Sequence, residues 1–169
     1  LRAGLQFPPD QRFELRTPFG RIILIGKNYF DANKIESLNL DDCLLVVDFG
    51  ADGTYTGSIG ATGGIDNPVS IFLDLGGNDV YESRNDRPSA GAGIMGIGVL
   101  YDDSGDDRYD TRDVTQGCGF FGVGILCDRL GKDTYRAKLS AQGCGYFGIG
   151  LCFDGSGDDD YYCYGDGQG

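Results

Sequence analysis

The chain contains no histidine. That absence removes the commonest general base, the Ser-His and Cys-His nucleophile pairs and histidine-ligated zinc. Glutamate is nearly missing as well: of 26 acidic residues only Glu14, Glu36 and Glu82 are glutamate, and the rest are aspartate. Lysine and arginine number 14, leaving a net charge of -12, and they form no basic run. An acidic field without a basic patch argues against nucleic acid and anionic membrane as partners. The longest apolar runs, residues 22–25 and 43–47, are far too short to insert into a bilayer. The six cysteines lack the C-x-x-C spacing of a zinc site, so they read as buried thiols, with a disulfide left open. No initiating methionine or signal segment is seen, as expected of a mature or trimmed product.

What the chain does contain is repetition. Residues 116–135, QGCGFFGVGILCDRLGKDTY, recur 26 positions later as residues 142–161, QGCGYFGIGLCFDGSGDDDY. A fainter copy occupies residues 90–109, and Gln168 and Gly169 stand where a further copy would open. Tyr29, Tyr55, Tyr81, Tyr109, Tyr135 and Tyr161 follow one another at steps of 26, 26, 28, 26 and 26 residues. Seven residues before each of the last five stands Asp48, Asp74, Asp102, Asp128 or Asp154, and the last four copies share D-x-x-G-x-D-x-Y, with second aspartates Asp79, Asp107, Asp133 and Asp159. A period of this length is the mark of a solenoid. The expected fold is all-β, a parallel β-solenoid of about six coils of 26 residues spanning residues 21–169. Residues 1–20, with Pro8, Pro9 and Pro18, form a lead-in that caps the first coil.

Overlaying the copies produces columns at alternate positions, as in a strand with one buried face. Cys43, Val69, Ile97, Val123 and Ile149 form one; Leu45, Ile71, Val99, Ile125 and Leu151 the next; Val47, Leu73, Tyr101, Cys127 and Phe153 the third. These read as the inward face, so Val123, Ile125 and Tyr135 should be buried, with Ile97 and Ile149 stacked on Val123. Cys118 and Cys144 should be neighbours. Between these columns lie glycines, including Gly98, Gly124 and Gly150, beside the apolar set Val46, Phe72, Leu100, Leu126 and Cys152. A glycine strip of outward parity reads as a surface to be covered, while some glycines supply positive φ at corners such as residues 119–122. The two extra residues of the longest step fall in residues 82–89, a polar protruding loop suited to carry specificity.

The aspartate turns carry the chemical signal. The segments GGNDVY, at Gly76 to Tyr81, and SGDDRY, at Ser104 to Tyr109, resemble part of the calcium-binding nonapeptide of RTX proteins, G-G-x-G-x-D-x-U-x. That resemblance implies that Asp79, Asp107, Asp133 and Asp159 ligate calcium and that the tyrosines are core residues. RTX turns recur every nine residues on both sides of a roll, whereas here one turn occurs per coil. Independently, coils stacked about 4.8 Å apart place like charges in a ladder, which a hard cation with six to eight oxygen ligands would offset. Asp74, Asp102, Asp128 and Asp154 would assist at that site. The competing role for this first column is to accept N–H bonds within its own turn, with Arg108, Arg129 and Lys132 balancing charge nearby and Lys132 able to stand in for an ion beside Asp133.

A catalytic reading of the carboxylates is weakened by their identical recurrence, since an active site needs one unlike constellation. The tyrosine column fits core packing better than a sugar-stacking ladder. These features point to a non-enzymatic structural scaffold, extracellular or on the cell surface, stabilised by calcium. Self-association into fibres is expected, head to tail or laterally through the glycine face, unless the chain is part of a longer solenoid. The alternative is a carbohydrate-binding or carbohydrate-cleaving β-helix of the pectate lyase or tailspike kind, which a cleft of unlike basic and acidic residues would favour.

Overall fold

A computed structural model describes residues 7–84 and 86–167. Gln168, Gly169 and the first six residues of the lead-in, on which part of the capping and repeat expectations fall, lie outside the described residues. The chain is 50% strand and 3% helix, wound into a parallel β-solenoid of about six turns at a spacing of about 26 residues. Each full coil contributes to three sheets. The long sheet runs, in spatial order, through Arg12–Thr17, Gly20–Ile25, Cys43–Asp48, Val69–Asp74, Ile97–Asp102, Val123–Asp128 and Ile149–Asp154. A second sheet stacks Leu38–Asn39, Thr54–Thr56, Val80–Glu82, Arg108–Asp110, Thr134–Ala141 and Asp160–Gly167. A short third sheet holds Thr62–Gly63, Gly93–Ile94, Gly119–Phe120 and Gly145–Tyr146.

The register follows the sequence overlay. Ile97 pairs with Val123 and Val123 with Ile149, and Tyr81, Tyr109, Tyr135 and Tyr161 pair in turn. Cys118 and Cys144 are neighbours: Gly119 N–H donates to the Cys144 carbonyl at 2.9 Å, and all six cysteines are free thiols. Tyr135 is fully buried.

The face assigned to the core is nonetheless inverted. Val46, Phe72, Leu100 and Leu126 are buried, at 0–1% exposure, together with Ser70 and the strand-end Asp48, Asp74, Asp102 and Asp128. Val123 and Ile125 are only half-buried and point outward, Ile97 is 46% exposed and Ile149 is 65% exposed. The physical reason lies in the glycines. A Cβ on Gly98 would collide with the Ala92 carbonyl, on Gly124 with that of Cys118, and on Gly150 with that of Cys144. The long and third sheets therefore meet backbone to backbone at this corner, and the glycine strip is covered from inside by its own coil. It is not available as a lateral contact. Positive φ at the adjacent bend belongs to Met95, Phe121 and Phe147, not to the neighbouring glycines.

At the start of the solenoid, Arg12–Thr17 pairs antiparallel with Gly20–Ile25 and extends the long sheet as its edge. The helix Tyr29–Asn33 follows, and its buried Phe30 meets Tyr55 edge-on, with centroids 5.5 Å apart. Tyr29 thus leaves the tyrosine column, and Phe30 covers the column's first ring. No helix among the described residues is long and apolar enough to cross a membrane.

Candidate metal centre

At the corner opposite the glycine contact, the same coils leave room for large side chains. Tyr55, Tyr81, Tyr109, Tyr135 and Tyr161 stack with centroids 5.6, 4.8, 4.7 and 4.4 Å apart. The first four are fully buried. A buried phenol needs an acceptor, and the strand-end aspartates seven residues earlier supply it. Tyr55 donates to Asp48 and Tyr161 to Asp154 at 2.7 Å, while Tyr109 and Tyr135 both donate to Asp128 Oδ2, at 2.7 and 3.1 Å. Tyr81 Oη lies 2.8 Å from Asp74 Oδ2 and 2.5 Å from Asp102 Oδ2. A phenol has one proton to give, so satisfying both contacts takes a proton on one of the two carboxyls.

The first column also caps its own turns, as the residue type suggests. Asp48 Oδ1 accepts from Gly50 and Ala51 N–H at 2.7 and 2.8 Å, Asp74 Oδ1 from Gly76 at 3.2 Å, and Asp102 Oδ1 from Ser104 at 3.1 Å. The second column faces inward too and links coil to coil. Asp79 Oδ1 accepts from Gly53 N–H at 2.7 Å, Asp107 Oδ1 from Asp79 N–H at 2.6 Å, and Asp133 and Asp159 from the N–H groups of Asp107 and Asp133, each at 2.8 Å. The turn glycine between the two columns is required by close stacking: a Cβ on Gly105 would collide with the Gly77 carbonyl, and on Gly131 with that of Gly105.

Asp74 and Asp102 thereby spend both oxygens, whereas Asp79, Asp107, Asp133, Asp128 and Asp154 each spend one and keep the other. Asp79 Oδ2, Asp107 Oδ2 and Asp133 Oδ2 are buried with no hydrogen-bond partner, as are Asp128 Oδ1 and Asp154 Oδ1. The carboxylates that carry them converge with their neighbours in three groups, Asp74 with Asp79 and Asp102, Asp102 with Asp107 and Asp128, and Asp133 with Asp154 and Asp159, whose ligand atoms lie within 4.8 Å of one another. All eight aspartates singled out from the sequence are brought together. The nearby cations do not balance them. Arg108 pairs with Asp110, Arg129 with Asp103, and Lys132 with Asp158 at 3.9 Å, all on the outside. Lys132 therefore does not substitute for an ion at Asp133.

Burial without counter-charge raises the carboxyls of the inner coils. Asp79 is pushed up to about 11, Asp107 to about 9 and Asp128 to about 8, by desolvation first and neighbouring carboxylates after it. Asp74 is raised well above the usual range and Asp102 is raised, both again by burial foremost. Asp133 rises to about 6, again by burial first. Such a row can be satisfied in two ways, by protons or by cations. An all-oxygen set of several carboxylates per group, with unspent lone pairs aimed inward, fits a hard divalent ion such as calcium and not a soft one.

A second feature escaped the linear sequence. On the outer face of the second sheet Glu82, Asp110, Arg136 and Tyr162 stand in register on successive strands, and Arg84, Arg112 and Lys138 follow two residues further along. They line a groove of about 580 Å³. Cations scattered over more than fifty residues meet there only because the coils stack, which is why no basic patch is visible in the chain. No protein-family model, curated protein or solved structure matches this chain.

Proposed function

We propose that the protein is a structural scaffold of the cell surface or extracellular space, a β-solenoid whose coils are tied together by calcium held inside the stack. The ligands are Asp74, Asp79, Asp102, Asp107, Asp128, Asp133, Asp154 and Asp159. The observation that carries this reading is the set of buried carboxylate oxygens that no donor satisfies, clustered between successive coils. Leaving such groups unpaired costs on the order of 1–3 kcal/mol each, and more when they are charged. An ion between coils removes that cost and adds a link that exists only in the folded state, so its binding energy becomes stability. Millimolar calcium outside cells would keep even modest sites filled. Scaffolds of this kind act in number, so the reading includes association with copies of the same chain. The test is thermal melting with calcium and with a chelator. A rise of the melting temperature with calcium that is smaller in Asp107→Asn supports the reading, and superimposable curves with and without calcium defeat it.

The groove favours a second reading, binding of an acidic carbohydrate. Arg84, Arg112, Arg136 and Lys138 offer donors to carboxylate groups, Glu82 and Asp110 offer acceptors to hydroxyls, and Tyr162 offers a ring at one end. Calorimetry with oligogalacturonate, on the native chain and on Arg136→Ala, tests it. Heat of binding that disappears in the variant supports this reading; no heat with the native chain removes it.

A further inference from the structure

The inversion of the long sheet leaves its outer face in need of a cover. Along each strand from Val69–Asp74 to Ile149–Asp154, the outward positions hold only aliphatic or aromatic side chains and one thiol, and none is charged. The apolar field continues onto the N-terminal strands, where Phe13 and Leu15 are each 48% exposed beside Leu24 and Ile22. In a chain carrying a net charge of -12, a charge-free face of this extent is not a solvated surface.

From this face we infer that the protein forms a two-fold, face-to-face dimer through the outer surface of its long sheet. The inference builds on the reading of the chain as a self-associating scaffold and is independent of calcium. Three arguments select a second copy as the occupant. The first is area: seven strands about 4.8 Å apart and six residues long at about 3.3 Å each outline roughly 650 Å², so a pair buries about 1,300 Å², within the standard range of stable interfaces. The second is shape. Residues pair without offset from Val69–Asp74 through Ile149–Asp154, so the side chains form straight ridges and grooves, and another copy presents the same spacing. The third is charge. No outward position of these long-sheet strands is charged, so two such faces meet without burying charge.

Sedimentation equilibrium across a concentration series, run with calcium and again with chelator, tests the dimer apart from the cation reading. The expected mass is twice 18.1 kDa in both conditions. Ile125→Lys, at the middle of the face, should weaken association at least about 100-fold while leaving the circular dichroism unchanged, because it places a charge on each side of a dry contact. Should that variant fail to fold, the native chain still decides. Cys127 lies on the face and Cys163 in the second sheet, so dilution through the dissociation range should speed alkylation of Cys127 and leave Cys163 unaffected. A native chain that stays monomeric at all concentrations overturns the inference. So does a folded Ile125→Lys dimer, Cys127 alkylation that ignores dilution, or a monomer that co-sediments with phosphatidylcholine vesicles, which would assign the face to lipid.

Discussion

Two corners of the same coil use opposite means to bring strands together. At one, Gly98, Gly124 and Gly150 let the long sheet touch the carbonyls of Ala92, Cys118 and Cys144, with nothing between the backbones. At the other, the backbones diverge around a stack of tyrosines and two columns of aspartates. The first corner is set by the absence of side chains and tolerates none; the second is set by polar groups whose satisfaction depends on protons or ions. Their failures should therefore differ in kind.

The largest effect belongs to the glycine corner. Gly124→Val should cost more than about 4 kcal/mol or abolish folding, since a rigid backbone cannot yield to the new side chain. The neighbouring Ile125→Val, pointing outward, should cost less than about 1 kcal/mol in the same urea titration. Comparable losses at the two positions would refute the inverted face. At the other corner, Tyr109→Ala opens a cavity in the stack and should cost about 3–5 kcal/mol. Tyr109→Phe keeps the ring and removes one donor to Asp128, for about 1 kcal/mol, because Tyr135 still donates to the same oxygen.

Asp107→Asn sharpens the contrast further. It replaces a carboxyl that must take up a proton to be buried without metal, so in chelator it should melt no lower than the native chain, and in calcium it should melt lower. pH supplies the most graded probe. In chelator, Asp79 and Asp107 hold protons in the folded state up to about 11 and about 9 but lose them near pH 4 when unfolded. Folding then takes up protons, and stability falls as pH rises from 6 to 8, by about 1.4 kcal/mol per unit for each proton concerned. Calcium displaces those protons, so the slope should flatten and binding should release acid. A pH-independent melting point in chelator would contradict the buried row.

The period, the register and the tyrosine column were all legible in the sequence, because steps of 26 residues align identical side chains. Turn capping by the strand-end aspartates was legible for the same reason. The parity of the strands was not. Val123, Ile125 and Cys127 alternate with Gly124 and Leu126, and two apolar columns bracket one glycine column. Which set faces in depends on how closely the next sheet approaches, and a single strand does not encode that distance. The spacing of seven residues from Asp128 to Tyr135 was the missed signal. A tyrosine and an aspartate on either side of one turn, both inside, imply a hydrogen bond between them and so an inward strand end. The groove around Arg136 was illegible because it assembles from four coils.

The most direct test of the buried acid row is a count of bound metal. Protein equilibrated in millimolar calcium, exchanged into metal-free buffer and analysed by elemental mass spectrometry should retain calcium, up to one ion for each of the three aspartate groups, and melt higher than the chelated form. Calcium at background level, with identical melting in both forms, would show that protons alone satisfy the row and would contradict the account.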